Sequence, residues 1–425
     1  MGKKGIFLIL VSLLFTQGCY DAKEPNNIAF VVALGIDETD AEGIYEYTIQ
    51  FAKTTQVSGG SGEENGKEGG EIMDTIKVRA PSTFAGINIA NQIVSKRFTL
   101  AHTRLIVISD EIAKKGVRDI FDPFGRNSDI RPNIYLAVAL GRAGDYLESV
   151  KPVAEIDPVT YYRLIYDSEY GGYLPRVILK DFYTQLYENG RQNVLPLAGV
   201  NEYNGKEAKN TQDNAQGGII ENDNVNISGF DYLMKEYIAG SIDAEKKNAS
   251  EAMGMAIFSD DKMIGTASGI ECLLYSMVAG DFDLSYITFY NEESPEVPVT
   301  VLAEQERAPY ISVNLKKDKP EVKIKLYLEG QLISEGTQKP VENNLTDFEK
   351  NVSEEIKEAT KKFLKRTSEE FNSDIMGFGE HAKIHFLTYK GFEEYDWNKK
   401  YRNTKFDVEV EFKIRGVGFV DLGDR

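Results

Sequence analysis

The chain has 425 residues and a net charge of −18, with 67 acidic against 49 basic residues. Hydrophobic residues make up 42% and charged residues 27%, the balance of an ordinary globular protein of about two to three domains. So acidic a surface repels phosphate backbones, which excludes nucleic acid as a partner, and it argues against a polybasic membrane contact.

In chain order, Lys3 and Lys4 precede the uncharged run Gly5 to Phe15, GIFLILVSLLF. A spanning helix needs about 20 apolar residues, so this run is too short; it has the length of a signal-peptide core, about 7–15 residues. Gly18-Cys19 follows at its end and resembles a bacterial lipobox, with Thr16 and Gln17 departing from the usual aliphatic pattern. The expectation is a lipoprotein signal peptide over 1–18 and a diacylglyceryl group on Cys19. Two acyl chains hold a protein stably to a membrane where one binds only marginally. The alternative is an ordinary secretory signal with an unmodified cysteine.

After a polar tether, IAFVVALGID and YEYTIQFAKT read as paired strands around a turn from Asp37 to Gly43. Ser58 to Glu71 is Gly-rich and reads as a flexible loop. Pro81-Ser82 opens a helix with Phe84, Ile87, Ala90, Asn91 and Val94 on one face. AHTRLIVIS is a strand, DEIAKKG a short helix and PNIYLAVALGR a strand, an alternation typical of a mixed sheet with packed helices. Two Tyr-rich helical stretches, PVTYYRLIYDSEY and PRVILKDFYTQLYENG, follow.

A second unit is expected from Arg191, where RQNVLPLAG breaks the helical pattern. Asn201 to Asn226 reads as a long polar loop, and MGMAIFSDDKMIGTAS as a hairpin turning at Asp260-Asp261. GIECLLYSMVAG reads as a helix carrying a buried, unreactive Cys272, and LSYITFY as a strand. The third unit starts near Pro298 with two strands. Next comes a long helix with Phe348, Val352, Ile356, Ala359, Phe363 and Phe371 at helical spacing, and Thr346 with Glu349 in a capping-box pattern. KIHFLTY and KFDVEVEFKIRGVG read as closing strands. The expected domains are 19–190, 191–297 and 298–425, each α+β with a mixed or antiparallel sheet and packed helices.

No catalytic constellation emerges. His381 and His385 are four apart, a metal-ligand spacing on a helix, but the segment reads as a strand, and Glu380 stands before His381, so H-E-x-x-H is not met. GFGEHA follows a helix rather than a strand, the reverse of a dinucleotide site. The acidic turn at Asp37 lacks the closing carboxylate of an EF-hand, with Ile49 in its place. There is no G-x-S-x-G elbow and no P-loop. The reading is a non-enzyme with no cofactor and no metal site.

Taken in order, several segments carry a resemblance. GCYDAKEPNNIAFVVALGID, AHTRLIVISDEIAKKGVRDIFDPFGRNSDIRPNIYLAVALGRA, the hairpin GMAIFSDDKMIGTASGIE, and NSDIMGFGEHAKIHF with EYDWNKKY together resemble the Ger(x)C family, the lipoprotein C subunits of nutrient germinant receptors of bacterial endospores. Tyr20 stands where the family has Trp. The resemblance implies three α+β domains, no enzymatic activity, and a place at the outer face of the spore inner membrane beside an A subunit and a transporter-like B subunit. Rival readings are a lipid-anchored solute- or glycan-binding protein and a cell-wall hydrolase.

Four C-terminal residues are candidate structural or interface positions. Gly377 and Gly379 follow the long helix, where positive φ is common, and Asp374 can bond backbone donors of that turn. Trp397, the only tryptophan, is expected to fold onto the core of the third unit; the alternative is an exposed interface anchor.

Overall fold

The structure, a computed structural model, describes residues 27–53, 73–152, 158–167, 171–201, 238–242, 249–291, 294–315, 319–334, 344–417 and 420–421. The expected signal peptide, Cys19, the Gly-rich loop from Ser58 to Glu71 and the polar stretch after Asn201 lie outside these residues.

The first half runs β1 (Ile28–Glu38), β2 (Tyr45–Ala52), β3 (Met73–Ala80), α1 (Thr83–Ile93), β4 (Arg97–Thr99), β5 (Leu105–Ser109), α2 (Asp110–Lys115), α3 (Arg118–Arg126), β6 (Tyr135–Ala139), α4 (Ala143–Ser149), α5 (Pro158–Tyr166) and α6 (Leu179–Tyr187). Then come β7 (Val194–Val200), β8 (Ser250–Ser259), β9 (Lys262–Ala267), α7 (Gly269–Ala279) and β10 (Leu284–Asn291). The chain closes with β11 (Ser294–Asn314), β12 (Glu321–Ser334), α8 (Leu345–Lys365), α9 (Phe378–Lys383), α10 (Tyr389–Tyr395), α11 (Trp397–Tyr401), β13 (Lys405–Val417) and β14 (Val420–Asp421).

Among the described residues, nine strands form one mixed sheet in the order β3-β2-β1-β5-β6-β7-β8-β9, with β4 beside β1. The strands from β1 through β7 in that order run parallel, and antiparallel pairs flank them on both sides. Every residue of β5 and β6 is buried, because parallel strands are covered by helices on both faces. Alternate residues feed two cores. Ile106, Ile108, Leu136 and Val138 face one; Leu105, Val107, Ala137 and Ala139 face the other.

The second core explains the first Tyr-rich helix, α5, which meets Tyr146 of α4 there. Tyr146, Tyr162 and Tyr166 are fully buried there. Their hydroxyls are satisfied, Tyr146 against Tyr166 at 2.9 Å and Tyr162 donating to Gln50 Oε1 at 2.5 Å, as buried polar groups require.

The boundary expected between residues 190 and 191 falls inside this sheet. β7, which opens just after it, pairs with β6, and β8 and β9 extend the same sheet. The segment 191–297 is therefore divided between the two sheets, since β10 pairs with β11 in the second. That sheet has the order β10-β11-β12-β13-β14, with β12 and β13 parallel and joined by the long connection through α8. The architecture is α+β with two mixed sheets and packed helices.

Two local expectations are corrected. First, α8 begins at Leu345 with Asn344 as its N-cap, which makes no side-chain cap bond. Thr346 lies inside the helix, so Thr346 and Glu349 form no capping box. Glu349 serves the sheet instead. Its carboxylate accepts Ile414 N–H at 2.8 Å and meets Lys413 Nζ at 3.2 Å, while Ser353 Oγ accepts Phe412 N–H at 3.2 Å. These N–H groups lie on the side of β13 that β14 covers only at Gly416 and Val417, so α8 satisfies a strand edge. Second, KIHFLTY is no strand: residues 378–401 form α9, α10 and α11 with turns between. The alternation of Ile384 and Phe386 reads as a strand only locally; the chain turns there, leaving Ile384 exposed and Phe386 half-buried.

Candidate interaction site

The four C-terminal residues singled out by sequence converge. A π-helical turn, Arg366–Phe371, extends α8 and stops at Asn372, whose φ of 49° turns the chain left-handed. Three of the five residues after Asp374 then bond its side chain. The Asp374 carboxylate is buried and accepts four N–H groups: Gly377 and Phe378 backbone at Oδ1 (3.0 and 3.1 Å), Gly379 backbone at Oδ2 (2.7 Å), and Trp397 Nε1 at Oδ2 (2.8 Å). Burial pushes the Asp374 carboxyl up to about 6, against the opposing pull of those four donors.

Both glycines are demanded by this geometry. Gly377 has φ 80°, a region that L side chains rarely adopt. At Gly379 an added Cβ would stand 2.6 Å from Gly190 O and 2.7 Å from Trp397 Cδ1. Trp397 is 2% exposed and packs beside Tyr401 at 6.2 Å. Its polar flanks sit on the surface while the indole points inward.

The turn is a junction between the two sheets. Asp374 O accepts Gln192 N–H at 2.8 Å, Ser373 Oγ donates to Phe258 O at 2.6 Å, and Arg191 donates to Ile375 O at 3.2 Å. Arg366 adds a second clamp, donating to both oxygens of Glu271 at 2.6 and 2.7 Å and to Thr266 O at 3.1 Å. Glu271 also completes a capping box with Ser268 at the start of α7. Sequence reading placed the box on the wrong helix, although Ser268-Gly-Ile-Glu271 carries the same S-x-x-E signal.

Beside the junction opens a cleft of about 400 Å³ lined by Arg176, Lys180, Arg191, Asp281, Asp283 and Glu380 among others. Charges of both signs line it, and Arg176 pairs with Asp283 while Arg191 donates to Tyr275 Oη at 2.7 Å. Among the described residues no group of three or more His, Cys, Asp or Glu could hold a metal ion. His385 reaches Val313 O through Nε2 at 2.8 Å. Cys272 is buried with a free thiol that burial pushes up, which leaves it little thiolate character.

Above the buried turn lies an exposed one. Ile384 is 80% exposed, Leu387 104% and Tyr389 54%. Phe386 roots this loop against Phe392 and Tyr395, with ring centroids 5.6 and 5.2 Å apart.

Two family models match the chain in order. "Spore germination protein N-terminal domain" covers residues 21–200 and "Spore germination B3/ GerAC like, C-terminal" covers 253–418. The chain is 20% identical to Spore germination protein KC of Bacillus subtilis, covering 97% of this chain and 95% of that protein. It is 20% identical to Spore germination protein B3 of the same organism, over 98% and 97%, and 21% identical to Spore germination protein GerQC of Bacillus cereus, over 97% and 99%. The crystal structure of the GerBC protein superposes with a TM-score of 0.52 at 17% identity, covering 90% of this chain and 96% of that one, a likeness of fold. With both domain models matched and full-length relatives on either side, the chain belongs to the Ger(x)C family of spore germination proteins.

Proposed function

We propose that this chain is the C subunit of a nutrient germinant receptor, held to the outer face of the spore inner membrane by a diacylglyceryl group on Cys19. It works with an integral A subunit and a transporter-like B subunit and performs no catalysis itself. The observation that carries this reading is the end-to-end match to spore germination proteins. Gly18-Cys19 after an uncharged run of signal-peptide length supports the anchor. The two-sheet body then acts as an extracytoplasmic module whose rigid junction keeps its parts in one geometry.

A tagged chain isolated from spore inner membranes tests the assignment. Recovery of a transporter-like integral protein with it is the expected result; its repeated absence under mild detergent overturns the receptor reading. Cys19→Ala is expected to release the protein from the membrane or leave its signal uncleaved. A Cys19→Ala chain processed and bound like the wild type overturns the lipid anchor.

A further inference from the structure

The exposed loop from Ile384 to Tyr389 stands apart from the rest of the described surface in three ways. It gathers three of the large exposed hydrophobic side chains within six residues, and Leu387 is as open as a free side chain. It is held in shape, with Phe386 rooted on α10, His385 on Val313 O, and Tyr389 Oη accepting Asn189 Nδ2 at 3.2 Å. Its surroundings oppose the charge of the whole: the loop itself holds no Lys, Arg, Asp or Glu, and the stretch around it, from His381 to Lys405, has six lysines and arginines against three acidic residues, in a chain of net charge −18.

Its place in the fold supplies the direction. β1, β5, β6 and β7 run parallel, with Ala33 level with Leu105, Leu105 with Tyr135, and Val138 with Leu197. The starts of β1 and β7 therefore lie at one end of the sheet. The chain entering β7 carries the loop, since Gly190 packs on the Gly379 and Glu380 backbone and Asn189 bonds Tyr389. The chain entering β1 comes from Cys19, nine residues before Ile28, a reach of at most about 30 Å even when extended. Whatever holds Cys19 thus faces the end of the sheet where the loop stands.

We propose that the loop from Ile384 to Tyr389 is a second membrane contact, seated in the interface of an anionic bilayer beside the N-terminal anchor. Ile384 and Leu387 enter the acyl boundary, Tyr389 sits at headgroup level, where amphipathic rings are favoured, and the flanking lysines meet anionic headgroups. A surface of net charge −18 is repelled by such a bilayer, and this local reversal of sign lets one end approach. A second contact beside the two-chain anchor adds to its hold, and it fixes the orientation of the body, which an anchor at Cys19 by itself does not set. The inference rests on the Cys19 anchor for which end faces the bilayer.

The test uses the full chain reconstituted in phosphatidylglycerol vesicles with brominated acyl chains, which quench tryptophan on contact. Wild type gives the baseline, because Trp397 is the only tryptophan and is buried. Leu387→Trp and, separately, Ile384→Trp place a reporter on fully or largely exposed positions that bear no core load. The added emission is expected to be blue-shifted and quenched on brominated vesicles, with smaller loss when phosphatidylcholine replaces phosphatidylglycerol. Quenching no greater than in wild type for both variants overturns the proposal and leaves the loop facing water or a protein. Flotation reads the anchor separately. A Cys19→Ala chain that floats like wild type while the reporters are quenched refutes the lipid anchor alone; an anchored chain with unquenched reporters refutes the loop contact alone.

Discussion

Asp374 gathers more of the C-terminal structure than any neighbour, since four donors from two segments end on one carboxylate. Asp374→Asn puts an amide NH₂ against N–H donors, and hydrogen bonds to a charged acceptor are worth about 1.5–3 kcal/mol each. The expected loss is at least about 2 kcal/mol of stability in urea unfolding at pH 7. The carboxyl sits near 6 in the folded chain against about 4 unfolded, so the folded state holds the proton more tightly. Its contribution is greatest below about pH 4, falls as pH rises to about 6 and is flat above. The gap between wild type and Asp374→Asn should therefore narrow from pH 4 to pH 6 and stay constant beyond; a gap that widens over that interval refutes this. Gly379→Ala brings a methyl within 2.7 Å of Gly190 and Trp397, an overpacking expected to cost about 1–3 kcal/mol. Gly377→Ala meets only the flexible Arg191 side chain, at 3.1 Å, and is expected to cost about 1–2 kcal/mol for its left-handed backbone. Calorimetry of the pair should rank Gly379→Ala as the more damaging.

At the scale of elements, α7 and α8 show how the same motif has different fates. Ser268 and Glu271 form a reciprocal cap because the chain enters α7 extended, with Ser268 at φ −72° and ψ 169°. Thr346 has already entered α8, so its pattern is spent. Ser268→Ala should cost about 1 kcal/mol, the usual value of a lost cap. Glu271→Ala removes the box and also leaves Arg366 without its partner across the junction. Chemical denaturation is expected to show a larger loss for Glu271→Ala, with Glu271→Gln between the two. Equal losses for Ser268→Ala and Glu271→Ala would mean that the Arg366 contact contributes nothing.

At the scale of the molecule, the two sheets are joined by the stretch from Arg366 to Gly379, which bonds β9, α7, β8 and, through Arg191 and Gln192, the chain entering β7. Such continuity makes the body one mechanical unit, and wild type is expected to melt in a single calorimetric transition. Arg366→Ala combined with Ser373→Ala cuts one clamp and the bond to Phe258, and should split or broaden that transition. A second transition already present in wild type would contradict the coupling.

Local chemistry by itself determined much of this protein. A continuous apolar run fixed β1, alternation fixed β2, β8, β9, β12 and β13, helical spacing fixed α8, and the Asp-Gly-Gly-Trp set was legible because each residue type has a narrow use: glycine for positive φ, a carboxylate for exposed backbone donors, tryptophan for a buried ring with a polar edge. Family membership was legible too, because it is carried by the order of segments along the chain. Only the tertiary structure decided that β7 through β9 join the first sheet, since pairing partners far apart in sequence leave no mark on local pattern. It decided that Glu349 serves β13 rather than its own helix, because the competing donors belong to a strand some 65 residues away. And it turned KIHFLTY from a strand into a rooted, outward loop: four apolar or aromatic residues in seven look like a buried strand until packing against α10 and β11 takes Phe386 inward and leaves Ile384 and Leu387 in the open.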